Sequence, residues 1–281
     1  MRLKESAVGC MEHQEFCCIF DASQYTGTPD AEPCPSAVSV PALIQAFDEL
    51  CGAGREEEAR DLLEKSLETA RQGGDWRAAL SMTSELLGQY RRTGEAEKGL
   101  AAVNDALALI RDHRLGRTVS GATILINAAT TLKAFGQAAA SIPIFTHAAR
   151  IYADNLDPAD YRFAGLYNNM ALSYEDAGDL GSAERFFRLA LKTLEKNGRT
   201  ENDRAVTWCN LAELYGRGDP EDSRIEDCLE RAWDCLNAPG LPQDGYHAFT
   251  ASKCAPSFDY FGFFLYAKEL RERAARIYAG T

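Results

Sequence analysis

Ala148-Ala149-Arg150-Ile151-Tyr152-Ala153 returns unchanged as Ala274-Ala275-Arg276-Ile277-Tyr278-Ala279, 126 residues later, three times a spacing of 42. Alanines stand at Ala106, Ala148, Ala190, Ala232 and Ala274, each 42 positions after the last. A period of this size marks one supersecondary unit stacked on copies of itself, since a single unit cannot bury its apolar face alone.

Each unit carries a second signature nearer its start. Trp208-x2-Leu211-Ala212-x2-Tyr215 is the clearest, and Tyr167-x2-Met170-Ala171-x2-Tyr174 the next. They are followed by Ala-x3-Phe at Ala183 and Phe187, and more loosely by Ser141 with Phe145, Gly99 with Val103 and Ala59 with Leu63. Glycines at Gly54, Gly94, Gly136, Gly178, Gly218 and Gly262 are read as closing each unit's first helix. Together these motifs resemble the tetratricopeptide repeat. The resemblance spans six units, residues 40–73, 80–113, 122–155, 164–197, 205–239 and 248–281. It implies an all-α fold, a right-handed α-solenoid of about six helix-turn-helix repeats. The long spacing, with Asn168-Asn169-Met170-Ala171-Leu172-Ser173-Tyr174, is similar to that of kinesin light chains and of bacterial cytoplasmic proteins with the same repeat length.

Local signals refine the boundaries. Asp157-Pro158-Ala159-Asp160 reads as a helix start with Asp157 as N-cap and Pro158 at the first helical position, giving a helix that runs to about Ala177. Thr200-x2-Asp203 is a similar opening for unit five. Unit five holds one extra residue around Asp219-Pro220. Pro256 lies inside the first helix of unit six, where a missing N–H and a crowded preceding turn predict a kink or a late start.

The chain has 281 residues, a net charge of −12, 46% hydrophobic and 26% charged residues. Such an acidic balance opposes the counterion release on which nucleic-acid binders depend, and it disfavours anionic membrane surfaces. No run approaches the roughly 18 apolar residues of a membrane span. Residues 1–39 lack the repeat pattern and are read as an irregular leader. Ala7-Val8-Gly9-Cys10 has the look of a lipoprotein cleavage box, but the six residues before Val8 include three charges and no apolar stretch. Cys10, His13, Cys17 and Cys18 lie close enough to suggest zinc, yet no second pair stands at structural-zinc spacing, and no metal or cofactor is expected. Cys209, Cys228, Cys235 and Cys254 are read as small packed hydrophobes. An odd total of nine cysteines without a spacing framework points to reduced thiols in a cytoplasm.

Catalytic signatures are missing: no glycine-rich phosphate loop, no His-Glu-x2-His, no Gly-x-Ser-x-Gly, and four scattered histidines, His147 among them as a packed or surface residue. The reading is of a protein that is not an enzyme.

What remains is the groove that the resemblance implies. Aligned on Ala129, Ala171 and Ala212, the positions two before are Asn127, Asn169 and Asn210, with Asn168 beside them. A carboxamide offers an acceptor and two donors, enough to pair with both N–H and C=O of an extended peptide. Two readings stand together: amides that hold a ligand's backbone, and amides that bond to neighbouring helices within the solenoid. Gln45, Glu85 and Lys253 interrupt the ladder in units one, two and six. Lys133, Glu175, Glu213, Arg91 and Arg92 align one turn further on and are assigned the reading of ligand side chains. The carboxylate clamp of chaperone-binding relatives has no match.

The expected function is a cytoplasmic protein-protein interaction scaffold, binding an extended peptide or a partner helix, with no nucleic acid and no membrane. Alternatives are a peptide-sensing regulator of the Gram-positive kind, for which residues 1–39 are short and irregular as an effector domain, and a self-associating structural protein. The last would use the aromatic run Phe258, Tyr260, Phe261, Phe263, Phe264 and Tyr266.

Overall fold

Asp75, Thr118, Asp179 and Asp244 each accept a hydrogen bond from the backbone N–H three residues on, at Ala78, Gly121, Ser182 and His247, and each opens a helix. Such caps satisfy N–H groups that have no partner inside the helix. The computed structural model describes residues 34–280. They form α1 (Val40–Gly52), α2 (Glu56–Gln72), α3 (Trp76–Thr93), α4 (Ala96–Asp112), α5 (Val119–Ala134), α6 (Ala138–Asn155), α7 (Arg162–Asp176), α8 (Leu180–Leu194), α9 (Glu201–Gly218), α10 (Arg224–Leu236), α11 (Gly245–Tyr260) and α12 (Phe264–Ala279). Among the described residues there is no strand.

Consecutive helices pair, and pairs stack in chain order. The alanine ladder lies on the second helix of each pair, with Ala106, Ala148, Ala190 and Ala232 fully buried and Ala274 nearly so. A single methyl lets a neighbouring backbone come close, which explains why this position repeats most strictly. Phe145, Phe187 and Phe258 are the largest fully buried side chains among the described residues.

Gly54, Gly94, Gly136, Gly178 and Gly262 follow the first helix of their pairs with positive φ, the left-handed conformation that ends a helix without a Cβ penalty. Gly218 differs, being the last residue of α9. That helix is ended instead by Asp219 in an extended conformation, because Pro220 disfavours helical ψ in the residue before it.

Three boundaries depart from expectation. α7 starts at Arg162, since Asp157 bonds to the N–H of Ala159 two residues on and forms a turn, leaving Asp160 to accept from Arg162 N. Thr200 precedes α9 but donates its hydroxyl to Leu194 O, so no capping box forms and Asp203 is free for another role. α11 holds Pro256 internally and starts early, at Gly245, on the Asp244 cap.

Residues 34–39 do not hang loose. Asp75 Oδ2 accepts from Ala37 N at 2.9 Å and Val38 N at 3.4 Å, while its Oδ1 caps α3. Burial pushes this carboxyl up, but the N–H donors of Ala78, Ala37 and Val38, with the Cys34 thiol, hold it below the ordinary aspartate value. The Cys10, His13, Cys17 and Cys18 constellation lies outside the described residues. Within them, no group of His, Cys, Asp and Glu is placed to hold a metal, and no helix is long and apolar enough to cross a membrane.

Candidate functional site

α3, α5, α7 and α9 each pack against the next odd-numbered helix, whereas the even-numbered helices lack comparable contacts with one another. The row whose members touch is the closer-spaced row, so the odd helices form the inner, concave side. Their interiors are largely buried, and one stripe per helix faces outward at i, i+3 or i+4 spacing.

Along the middle of this face run Ser84, Asn127, Asn168, Asn210 and Lys253, one from each of α3, α5, α7, α9 and α11. Asn127 Nδ2 donates to Ser84 Oγ at 2.9 Å, and Asn210 Nδ2 donates to Asn168 Oδ1 at 3.0 Å. The amide in register is therefore Asn168, where alignment on the alanines selects Asn169. The half-buried Asn169 makes no side-chain hydrogen bond among the described residues. The carboxamides of Asn127 and Asn210 thus do bond to neighbouring helices, and each still holds an acceptor oxygen and a second N–H.

The residues assigned to reading ligand side chains are instead engaged between repeats. Arg91 donates to Asn127 O at 3.1 Å and Thr131 Oγ1 at 2.8 Å. Arg92 pairs with Glu56 at 2.7 Å and also meets Gln89. Lys133 Nζ lies 3.4 Å from Asp176. Arg217 joins Glu175 Oε1 at 3.3 Å and the carbonyl of Glu175 at 3.2 Å, a cation at the C-terminal end of α7 where the helix dipole favours it. Burial lifts the Glu175 carboxyl above its usual range although Arg217 pulls the other way. Glu213 accepts from Ser257 of α11. These side chains tie the inner row together at its far edge, and the sequence does not reveal those destinations because they depend on packing distances between helices.

At the near edge, an acidic side chain on α9 meets aromatic residues from either side. Tyr246 OH donates to Asp203 Oδ1 at 2.6 Å, and the phenol of Tyr161 lies near the same pair. Partial burial and then the Asp203 carboxylate raise the Tyr246 phenol above its ordinary value. Tyr161, Tyr246 and Phe249 remain 45%, 50% and 55% exposed. The signal was present in the spacing: Tyr161, Asp203 and Tyr246 each stand seven residues, two helical turns, before Asn168, Asn210 and Lys253, hence on the same face.

An inner face built this way defines a helical-repeat solenoid with an open polar groove. Residues 163–196 match the tetratricopeptide repeat family, and the chain has the fold of proteins built from that repeat. A kinesin-light-chain-like protein with nearly identical repeats from Podosopora anserina superposes with a TM-score of 0.52 at 16% identity, covering 72% of this chain and 96% of that one. BtubC (BKLC) from P. vanneervenii gives a TM-score of 0.56 at 20% identity over 80% and 91% of the two chains. At such identities the likeness is one of fold. No curated protein matches the chain in sequence.

Proposed function

We propose that the protein is a non-enzymatic cytoplasmic scaffold of bacterial type that binds an extended segment of a protein partner along its inner face, residues 40–281 acting as one six-unit solenoid. The observation that carries this reading is the stripe Ser84, Asn127, Asn168, Asn210 and Lys253, which presents hydrogen-bonding groups on five successive inner helices. Each amide of the Asn127 and Asn210 pairs is oriented by its neighbour, which lowers the entropy lost when a ligand backbone docks. Arg91, Lys133, Glu175 and Glu213 support the site by holding the row together, and Asn169 borders it. The unpaired thiols of Cys209, Cys228, Cys235 and Cys254 suit a reducing compartment.

The test places a photo-crosslinking residue at Thr123 or Asn210 on the inner face and at Arg185 or Lys192 on the exposed side of α8, in cells of the source organism. A partner captured from the inner positions alone supports the reading; capture only from α8 overturns it. A second reading, self-association, is favoured by the exposure of Tyr260, Phe264 and Leu265 about the last helix pair, while Phe258 of the same run is buried. Light scattering at rising concentration separates a monomer from a dimer.

A further inference from the structure

We propose that Tyr161, Asp203, Tyr246 and Phe249 form a subsite for a cationic side chain, so that the groove selects a segment carrying arginine or lysine. The inference deepens the groove reading and rests on it. Asp203 is a carboxylate with no ion-pair partner among the described residues; the neutral phenol of Tyr246 donates to it, and that of Tyr161 lies nearby. The nearby cation Arg162 is taken by Asp160 at 2.7 Å. A carboxylate bonded to neutral donors keeps its full charge, and a cation arriving from solvent completes the arrangement.

The surrounding rings serve the same end. Tyr161 precedes α7, and Tyr246 and Phe249 are one turn apart on α11, so the three flank Asp203 of α9 from both sides. Aromatic rings half open to solvent offer their negative faces to a guanidinium or ammonium group and shelter its methylene stem. The Tyr246 hydroxyl, bonded to Asp203, holds its ring in place. Among the other inner helices, α3 and α5 carry Ser81, Ser84, Gly88, Ser120, Thr123 and Thr130 on the same stripe. Apart from the exposed Arg77, seven residues before Ser84, that half of the groove is small-featured and carries no carboxylate at these positions, so selection of a cationic side chain concentrates at the α7, α9 and α11 end. The chain's net charge of −12 draws a basic segment toward it.

The experiment uses the full chain and arrays of immobilised peptides of about 12 residues, long enough to cross several repeats. The central position is fixed as arginine, lysine, citrulline or glutamate within otherwise randomised neutral residues. Arginine and lysine sets should bind about fivefold or more above the citrulline set, citrulline being the neutral analogue of arginine, and glutamate should bind least. Asp203→Asn, close in shape, should remove that preference while leaving the citrulline signal unchanged. Tyr246→Phe keeps the ring and should weaken the preference in part, whereas Asn127→Ala should lower all four sets together. Equal binding of arginine and citrulline sets, with Asn127→Ala still effective, overturns the subsite and leaves the groove reading standing. Binding that no inner-face substitution alters, or no binding by any set, overturns both.

Discussion

The carboxamide of Asn210 on α9 reaches that of Asn168 on α7 across 3.0 Å, although 42 positions of chain separate them. Both are half-buried, so the bond is exchanged against water in the unfolded chain and contributes a modest net amount. Asn210→Ala should cost about 0.5–1.5 kcal/mol, Asn168→Ala a similar amount, and the double variant less than their sum. Urea denaturation of the four proteins checks this; strictly additive losses would mean that the two amides are not coupled.

Asp75 joins two things that lie apart in sequence, the start of α3 and the backbone at Ala37 and Val38. Asp75→Ala should lower stability by about 1–3 kcal/mol through loss of the cap and of two further, partly buried bonds. Removing residues 1–39 deletes two of those donors. The deletion and the substitution should therefore be non-additive by urea midpoint, and additivity would show that residues 34–39 do not bear on the fold.

His247 is fully buried, with Nδ1 2.9 Å from Asn202 Oδ1 and Nε2 without a partner in the described structure. Burial and then the charge of Arg273 lower its pKa, against a smaller opposing pull from Asp244. The unfolded imidazole takes up a proton at about 6.5, the folded one only below that. Its contribution is thus complete above about pH 6.5 and is lost as pH falls, by up to about 1.4 kcal/mol per unit. His247→Gln should flatten the fall in melting temperature between pH 7 and 5, those limits bracketing the ordinary histidine range.

Two helical glycines make opposite demands. A Cβ on Gly121 would sit 2.1 Å from the carbonyl oxygen of Leu115, where backbone must move to admit it. Gly121→Ala should destabilise by about 2 kcal/mol or more. Gly165 on α7 has no atom within 4 Å of its Cβ position, and Gly165→Ala should stabilise by about 0.5–1 kcal/mol. Thermal melts of the two variants should move in opposite directions.

The helix pairs were legible because their determinants are local or periodic: a buried methyl every 42 residues, a glycine able to take positive φ, an aspartate three residues before a free N–H. Alignment on Ala171 points to Asn169, whereas Asn168 is the amide that meets Asn210, because the alanine spacing does not fix which of two adjacent side chains faces α9. The partners of Arg91, Lys133, Glu175 and Glu213 are not legible in the sequence, because a long charged side chain shows its destination only once the neighbouring helix is in place. Asp203 was read as half of a capping box, and that local assignment obscured its partnership with Tyr246 43 residues away.

Each helix pair of this chain leans substantially only on the pairs before and after it. Thermodynamically it is a line of dominoes rather than a ball, with each unit's stability divided between its own fold and two shared faces. A lesion in α2 is felt most in its neighbours α1 and α3 and weakly in α12. Whatever docks on α7, α9 and α11 together clamps three consecutive units, and so raises the local cost of opening any one of them.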